Sequence, residues 1–205
     1  MLDAIHADVL HATDALAAQN TDYGRRAFVR SVFTAIEGTL YILRSDIIAD
    51  IESGQYRPPL AEEVILREES YYLDTNKLSG VSSPRYTPVD VMLRFTLRSL
   101  ASAHNVGYEM DTSTDGWRAF RVAIKVRNRI THPKDPDEFM VTDSELKDSI
   151  KAYDWFYAEY RHVHTHINTV LQKRIDACET ELERRKKIEQ GFAGHPLQGV
   201  GSPER

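Results

Sequence analysis

The sequence predicts an all-α protein, a helical bundle of five to six helices. Three observations carry that prediction. Apolar residues recur three or four positions apart through most of the 205 residues, the period that lays one helix face against a core. No convincing run alternates apolar and polar residues at the period of a half-buried strand. Proline, glycine and capping residues fall at intervals that cut the chain into helix-sized pieces.

The elements follow in order. Leu2, Ile5, Val9, Ala12 and Leu16 make the first helix, closed by Asn20 or Gly24. A long second helix over 25–52 carries the stripe Val29, Val32, Phe33, Ile36, Leu40, Leu43, Ile47 and Ile51, stopped by Gly54 and Pro58-Pro59. A short helix over 60–72 follows, and DTNKLSGVSSPRY reads as an irregular loop. Thr87-Pro88-Val89-Asp90 offers a hydroxyl cap, a proline in the first turn and an early acid, opening a helix to about His104. The next helix starts at Ser113 or Thr114 and carries WRAFRVAIKVRNRI, up to a loop between Pro133 and Pro136. Thr142-Asp143-Ser144-Glu145 is a capping box that opens a last helix running to about Gln190. The expected organisation is one helical domain over 1–190, with its core at about 25–170, and a disordered glycine- and proline-rich tail over 191–205.

Composition narrows the function. The chain is 41% hydrophobic and 28% charged, ordinary for a globular protein, and holds no apolar run long enough to span a bilayer. The N-terminus lacks the basic and apolar regions of a secretory signal. Cys178 is the only cysteine, so no internal disulfide or four-cysteine zinc site can form. A cytoplasmic setting is expected. The net charge of −5 argues against a surface that coats nucleic acid everywhere, but not against a local basic site.

That local site is the helix over 117–130. On a wheel of 100° per residue, Trp117, Phe120 and Ile124 share one side, and Ala119, Val122, Val126 and Ile130 cover the opposite and adjoining side. The polar sector left over holds Arg118, Arg121, Lys125 and Arg129, with Asn128 at its edge. This predicts a helix central to the bundle with a basic strip, Arg121, Lys125 and Arg129 within it, of the kind that holds a polyanionic backbone by charge. Arg127 lies on the apolar side, where an arginine needs an acid, an anionic ligand or a cleft. His132 follows where Pro133 ends the helix. On spacing alone, cations near a helix C-terminus also have a plain structural explanation in the helix dipole.

Arg127-Asn128-Arg129-Ile130-Thr131-His132, ending a helix in an all-α chain and followed by a capped long helix, resembles the HEPN superfamily. Arg127, Asn128 and His132 match its motif: an arginine, a polar residue after it, and a histidine four to six intervening residues on. The resemblance covers roughly 25–170. It implies an HEPN-like bundle and a metal-independent endoribonuclease without a cofactor. It further implies a homodimer whose two motifs meet, and an antitoxin or defence partner protein. The alternative within the superfamily is a non-catalytic module that dimerises and binds RNA or protein. A third class is a structural helical protein with Arg127 in a buried ion pair.

The residue types suit the chemistry. Cleavage through the ribose 2′-OH needs a proton acceptor and donor near neutral pH, the range of histidine. It also needs a fixed cation at the phosphorane, which the arginine fork supplies. Asn128 can bond the phosphate or orient His132. Glu37, in line with Arg30 and Arg44 on the second helix, is placed to orient Arg127 or to pair with either arginine as plain structure.

Elsewhere, His162 and His166 share a helix face, with Glu159 three positions before His162, but no fourth ligand is evident and no metal is assigned. Tyr153, Trp155, Phe156, Tyr157 and Tyr160 read as core or dimer packing.

Overall fold

The computed structural model describes residues 2–68, 71–74, 79–82 and 87–193. Among them are six α-helices, one 3-10 turn and one short hairpin, so the all-helical architecture is present with a small addition. The chain divides into two compact units, Met1–His164 and Thr165–Arg205.

The first unit is organised by its second helix. Helix α1 spans Leu2–Ala18 and α2 spans Asp22–Glu52. Thr21 caps α2 by accepting the Gly24 N–H at 3.1 Å, so α2 begins earlier than expected and Gly24 lies in its first turn. The stripe from Val29 to Ile47 is buried, as its spacing requires. A side chain at Gly38 would come within 2.8 Å of Ile5 Cδ1, so the glycine lets α1 seat closely. Helix α3, Leu60–Leu66, ends well short of 72. Instead β1, Tyr71–Asp74, pairs antiparallel with β2, Ser79–Ser82, with Tyr71 opposite Ser82 and Asp74 opposite Ser79. Strands of four residues are too short for alternation to register, although Tyr-Tyr-Leu is strand-prone. Residues 75–78 and 83–86 of the expected loop lie outside the described residues.

Helix α4 spans Val89–Ala103, and α5 spans Asp115–Thr131. Pro88, not Thr87, occupies the cap position of α4, with no side-chain cap; its carbonyl accepts the Met92 N–H at 2.9 Å. Thr114 caps α5 by accepting the Trp117 N–H at 3.1 Å. Helix α6 runs Asp143–Ala193, opened by the expected capping box: the Thr142 N–H donates to Glu145 at 2.9 Å, and the Glu145 N–H donates back to the Thr142 hydroxyl at 3.3 Å.

Helix α2 touches α1, α3, α4 and α5, and α5 packs between it and α6. Phe33 on α2 stacks on Phe120 of α5, and Phe120 and Trp117 meet Trp155 of α6. A Cβ at Gly116 would collide with Trp155, so this glycine sets how closely the two helices approach. Ser149, Ala152, Phe156 and Val163 bury the facing stripe of α6. In the second unit, residues 172–190 are exposed on every face, Cys178 among them. The tail over 194–205 lies outside the described residues. Among the described residues no helix is long and apolar enough to cross a membrane.

Candidate active site

The site grows from the end of α5. Its last carbonyls need donors, because a helix leaves them unpaired. An arginine of α2 supplies one from the side, Arg30 donating to the Ile130 carbonyl at 3.0 Å, while Arg25 donates to the Val141 carbonyl just ahead of α6 at 2.9 Å. Arg26 lies over the Phe139 ring, 5.6 Å from its centroid. His132 is the C-cap residue, its N–H donating to the Asn128 carbonyl at 3.1 Å before Pro133 turns the chain away. The backbone that presents His132 is therefore clamped against α2, while its side chain is exposed.

Arg127 turns towards α2. Its guanidinium pairs with Glu37, donates to Asn128 Oδ1 at 3.0 Å, and lies 5.5 Å from the centroid of the Phe33 ring. Burial pulls the guanidinium below its usual pKa. Of the three arginines in reach of Glu37 by sequence, Arg30 is taken by the Ile130 carbonyl and Arg44 pairs with Glu68 at 3.0 Å. Glu37 is left to orient Arg127.

These side chains line one cavity of about 660 Å³. Arg127, Asn128 and His132 form its α5 edge, with Glu37 and Arg44 on the α2 side and Glu68 beside them. Leu40, Met92 and Ile124 make an apolar wall, closed by Thr87, Pro88 and Val89 at the start of α4. The volume suits a nucleotide-sized ligand. The motif residues thus share a cleft reachable from solvent, with a partly buried cation, an amide and an exposed imidazole on its wall. Arg44 and Glu68 are site residues that the sequence did not indicate, because nothing in their spacing places them together.

The basic strip divides. Arg118, Arg121 and Lys125 are exposed, and Val122 beside them is exposed rather than covered. Arg129 turns the other way. It bonds Glu145 at 2.8 and 3.0 Å, the Met140 carbonyl at 2.6 Å and the Glu138 carbonyl at 3.1 Å. It ties the 3-10 turn, Pro136–Phe139, to the first turn of α6. Burial raises the Glu145 carboxyl, but the Arg129 and Thr142 hydrogen bonds outweigh it and hold the group below its usual pKa.

The remaining candidates are packed elements of the bundle. Tyr153 accepts or donates at His6 Nδ1, 2.9 Å away, and Tyr157 meets the same ring edge-on. Tyr108 donates to Glu159 at 2.7 Å, which commits the carboxylate that the sequence set beside His162. Among the described residues no group of three or more His, Cys, Asp or Glu is arranged to hold a metal ion.

Comparison with protein-family models, with curated proteins and with solved structures returns no match.

Proposed function

We propose that this chain is a metal-independent endoribonuclease of the HEPN type that acts as a homodimer. The observation that supports the reading is the shared cavity: Arg127, Asn128 and His132 converge on one nucleotide-sized cleft, with Glu37 holding the arginine in place.

The chemistry balances with these groups. His132 accepts the proton of the ribose 2′-OH, and the 2′ oxygen attacks the adjacent phosphorus. Arg127 and the Asn128 amide bind the non-bridging oxygens as charge gathers on the phosphorane. The bond from phosphorus to the 5′ oxygen then breaks, leaving a 2′,3′-cyclic phosphate. The departing oxygen takes a proton from His132 of the second copy, because one motif supplies one histidine and the step needs an acid as well as a base. Arg121 and Lys125 hold the flanking backbone by charge. Arg129 keeps the connection after His132 in place.

A non-catalytic RNA- or protein-binding module is the second reading, favoured by the pairing of Arg127 with Glu37, which satisfies the guanidinium within the chain. Incubating the purified protein with RNA in EDTA separates the two. The enzyme yields fragments with cyclic phosphate and 5′-OH ends; the module retards RNA and leaves it intact.

A further inference from the structure

We infer that Arg44 is a second phosphate-binding residue of the cavity, taking the RNA phosphate next to the one held by Arg127, and that Glu68 occupies the place of that phosphate until RNA displaces it. This rests on the RNA reading of the same cavity.

The first support is register. Glu37 and Arg44 are seven residues apart on α2, two turns less about 20°, so they spring from one line of the helix with their Cα atoms about 10 Å apart along the axis. Both pairs line the same cavity. A lone phosphate would leave most of about 660 Å³ unfilled. A dinucleotide with one terminal phosphate brings two phosphates and a base whose flat face Met92 and Ile124 can cover.

The second support is an asymmetry of burial. Arg44 is only 11% exposed in its side chain and Glu68 is 47% exposed; Arg127 and Glu37 stand at 28% and 42%. Arg44 is fixed in the protein, whereas Glu68 stands at the solvent side and can be exchanged. Arg44 is also under-satisfied. Among the described residues its Nε is buried with no acceptor, and one contact to Glu68 at 3.0 Å is its ion pair. A guanidinium has five N–H donors, and burying them without acceptors costs free energy. Glu68 reaches it from a left-handed backbone, φ 54°, uncommon for a residue with a side chain. A structural ion pair has no need of an open cavity or of a spare donor; an anion site needs both.

The test is binding of non-cleavable 2′-deoxy dinucleotides with and without a terminal phosphate, at the 5′ or the 3′ end, to the full chain. In wild type one terminal phosphate should tighten binding about ten-fold, the gain of a charge-assisted hydrogen-bonded contact. Arg44→Gln should lose that gain and weaken the phosphorylated dinucleotide more than the bare one, whereas Arg127→Lys should weaken both alike. Glu68→Gln removes the competing acid and should enlarge the gain. If Arg44→Gln does not fold, Arg44→Lys and Glu68→Gln carry the test, the former losing most of the gain. A wild type that binds the bare dinucleotide with no gain from either terminal phosphate overturns the role of Arg44 alone. A gain unchanged in the Arg44 and Glu68 variants does the same. A wild type that binds no dinucleotide overturns the RNA reading with it.

Discussion

At the residue scale, Arg127 and His132 differ in what surrounds them, and their substitutions should differ accordingly. His132 is exposed, and its described contact is a backbone bond that alanine keeps. His132→Ala should therefore leave the melting temperature within a degree or so while lowering cleavage by about 10²–10⁴-fold, the usual range for proton transfer by a side chain. Arg127→Lys should be nearly as damaging to rate, since lysine keeps the charge but cannot bridge two phosphate oxygens. Equal losses of melting temperature and rate in both variants would mark the pair as structural. Arg127 on an apolar helix face was legible, because a charge there demands a partner. Which partner was not: the choice among Arg30, Arg44 and Arg127 for Glu37 was decided by the Ile130 carbonyl and by Glu68, neither visible in helical spacing.

Arg121, Lys125 and Arg129 show the same limit. A wheel places them on one strip, but it knows nothing of Glu145, which draws Arg129 away. Arg121→Ala and Lys125→Ala should each weaken RNA binding and reduce its salt slope by about one, as expected for a lost phosphate contact. Arg129→Ala should leave the slope closer to wild type and lower the melting temperature instead. Binding titrations across salt concentrations check both halves; an unchanged slope for Arg121 and Lys125 would remove that face from the RNA path.

At the element scale, the helix starts at Thr114 and Thr142 were readable from capping chemistry and that of α4 to within one residue, while the short strands were not. Pro88 takes the cap position itself, which a sequence rule that favours hydroxyl caps does not anticipate. Thr142→Ala should cost about 1 kcal/mol, since it removes one half of a reciprocal cap. Gly116→Ala should cost more, about 1–3 kcal/mol, because the added methyl meets Trp155 and the aromatic packing has to move. Denaturant unfolding of the two variants gives the comparison; a neutral Gly116→Ala would mean that α5 and α6 separate freely at that turn.

At the scale of the whole molecule, pH should act through two half-buried histidines. Burial, reinforced by His104 and opposed by Asp46, pushes the His164 imidazole below its usual pKa, and burial does the same to His6 against Asp3. Each is bound by a proton less readily folded than unfolded. Stability from this source is complete above the unfolded value of about 6.5 and falls as pH drops below it. The melting temperature should decline from about pH 6.5 downwards, and His164→Gln should flatten the decline. Stability that rises on acidification through this window would contradict the assignment.

Assembly belongs to the same scale, because one cavity holds one His132. Light scattering at tens of micromolar should find a two-fold dimer, and a strict monomer that still cleaves RNA would remove the second histidine from the reaction. The chemistry itself is tested most directly by the ends it leaves. RNA incubated with the purified protein in excess EDTA should be cut to products bearing 2′,3′-cyclic phosphate and 5′-OH ends, and the same reaction with His132→Ala should leave the RNA whole. Activity that disappears on chelation, or products with 5′-phosphate ends, would contradict catalysis by Arg127 and His132.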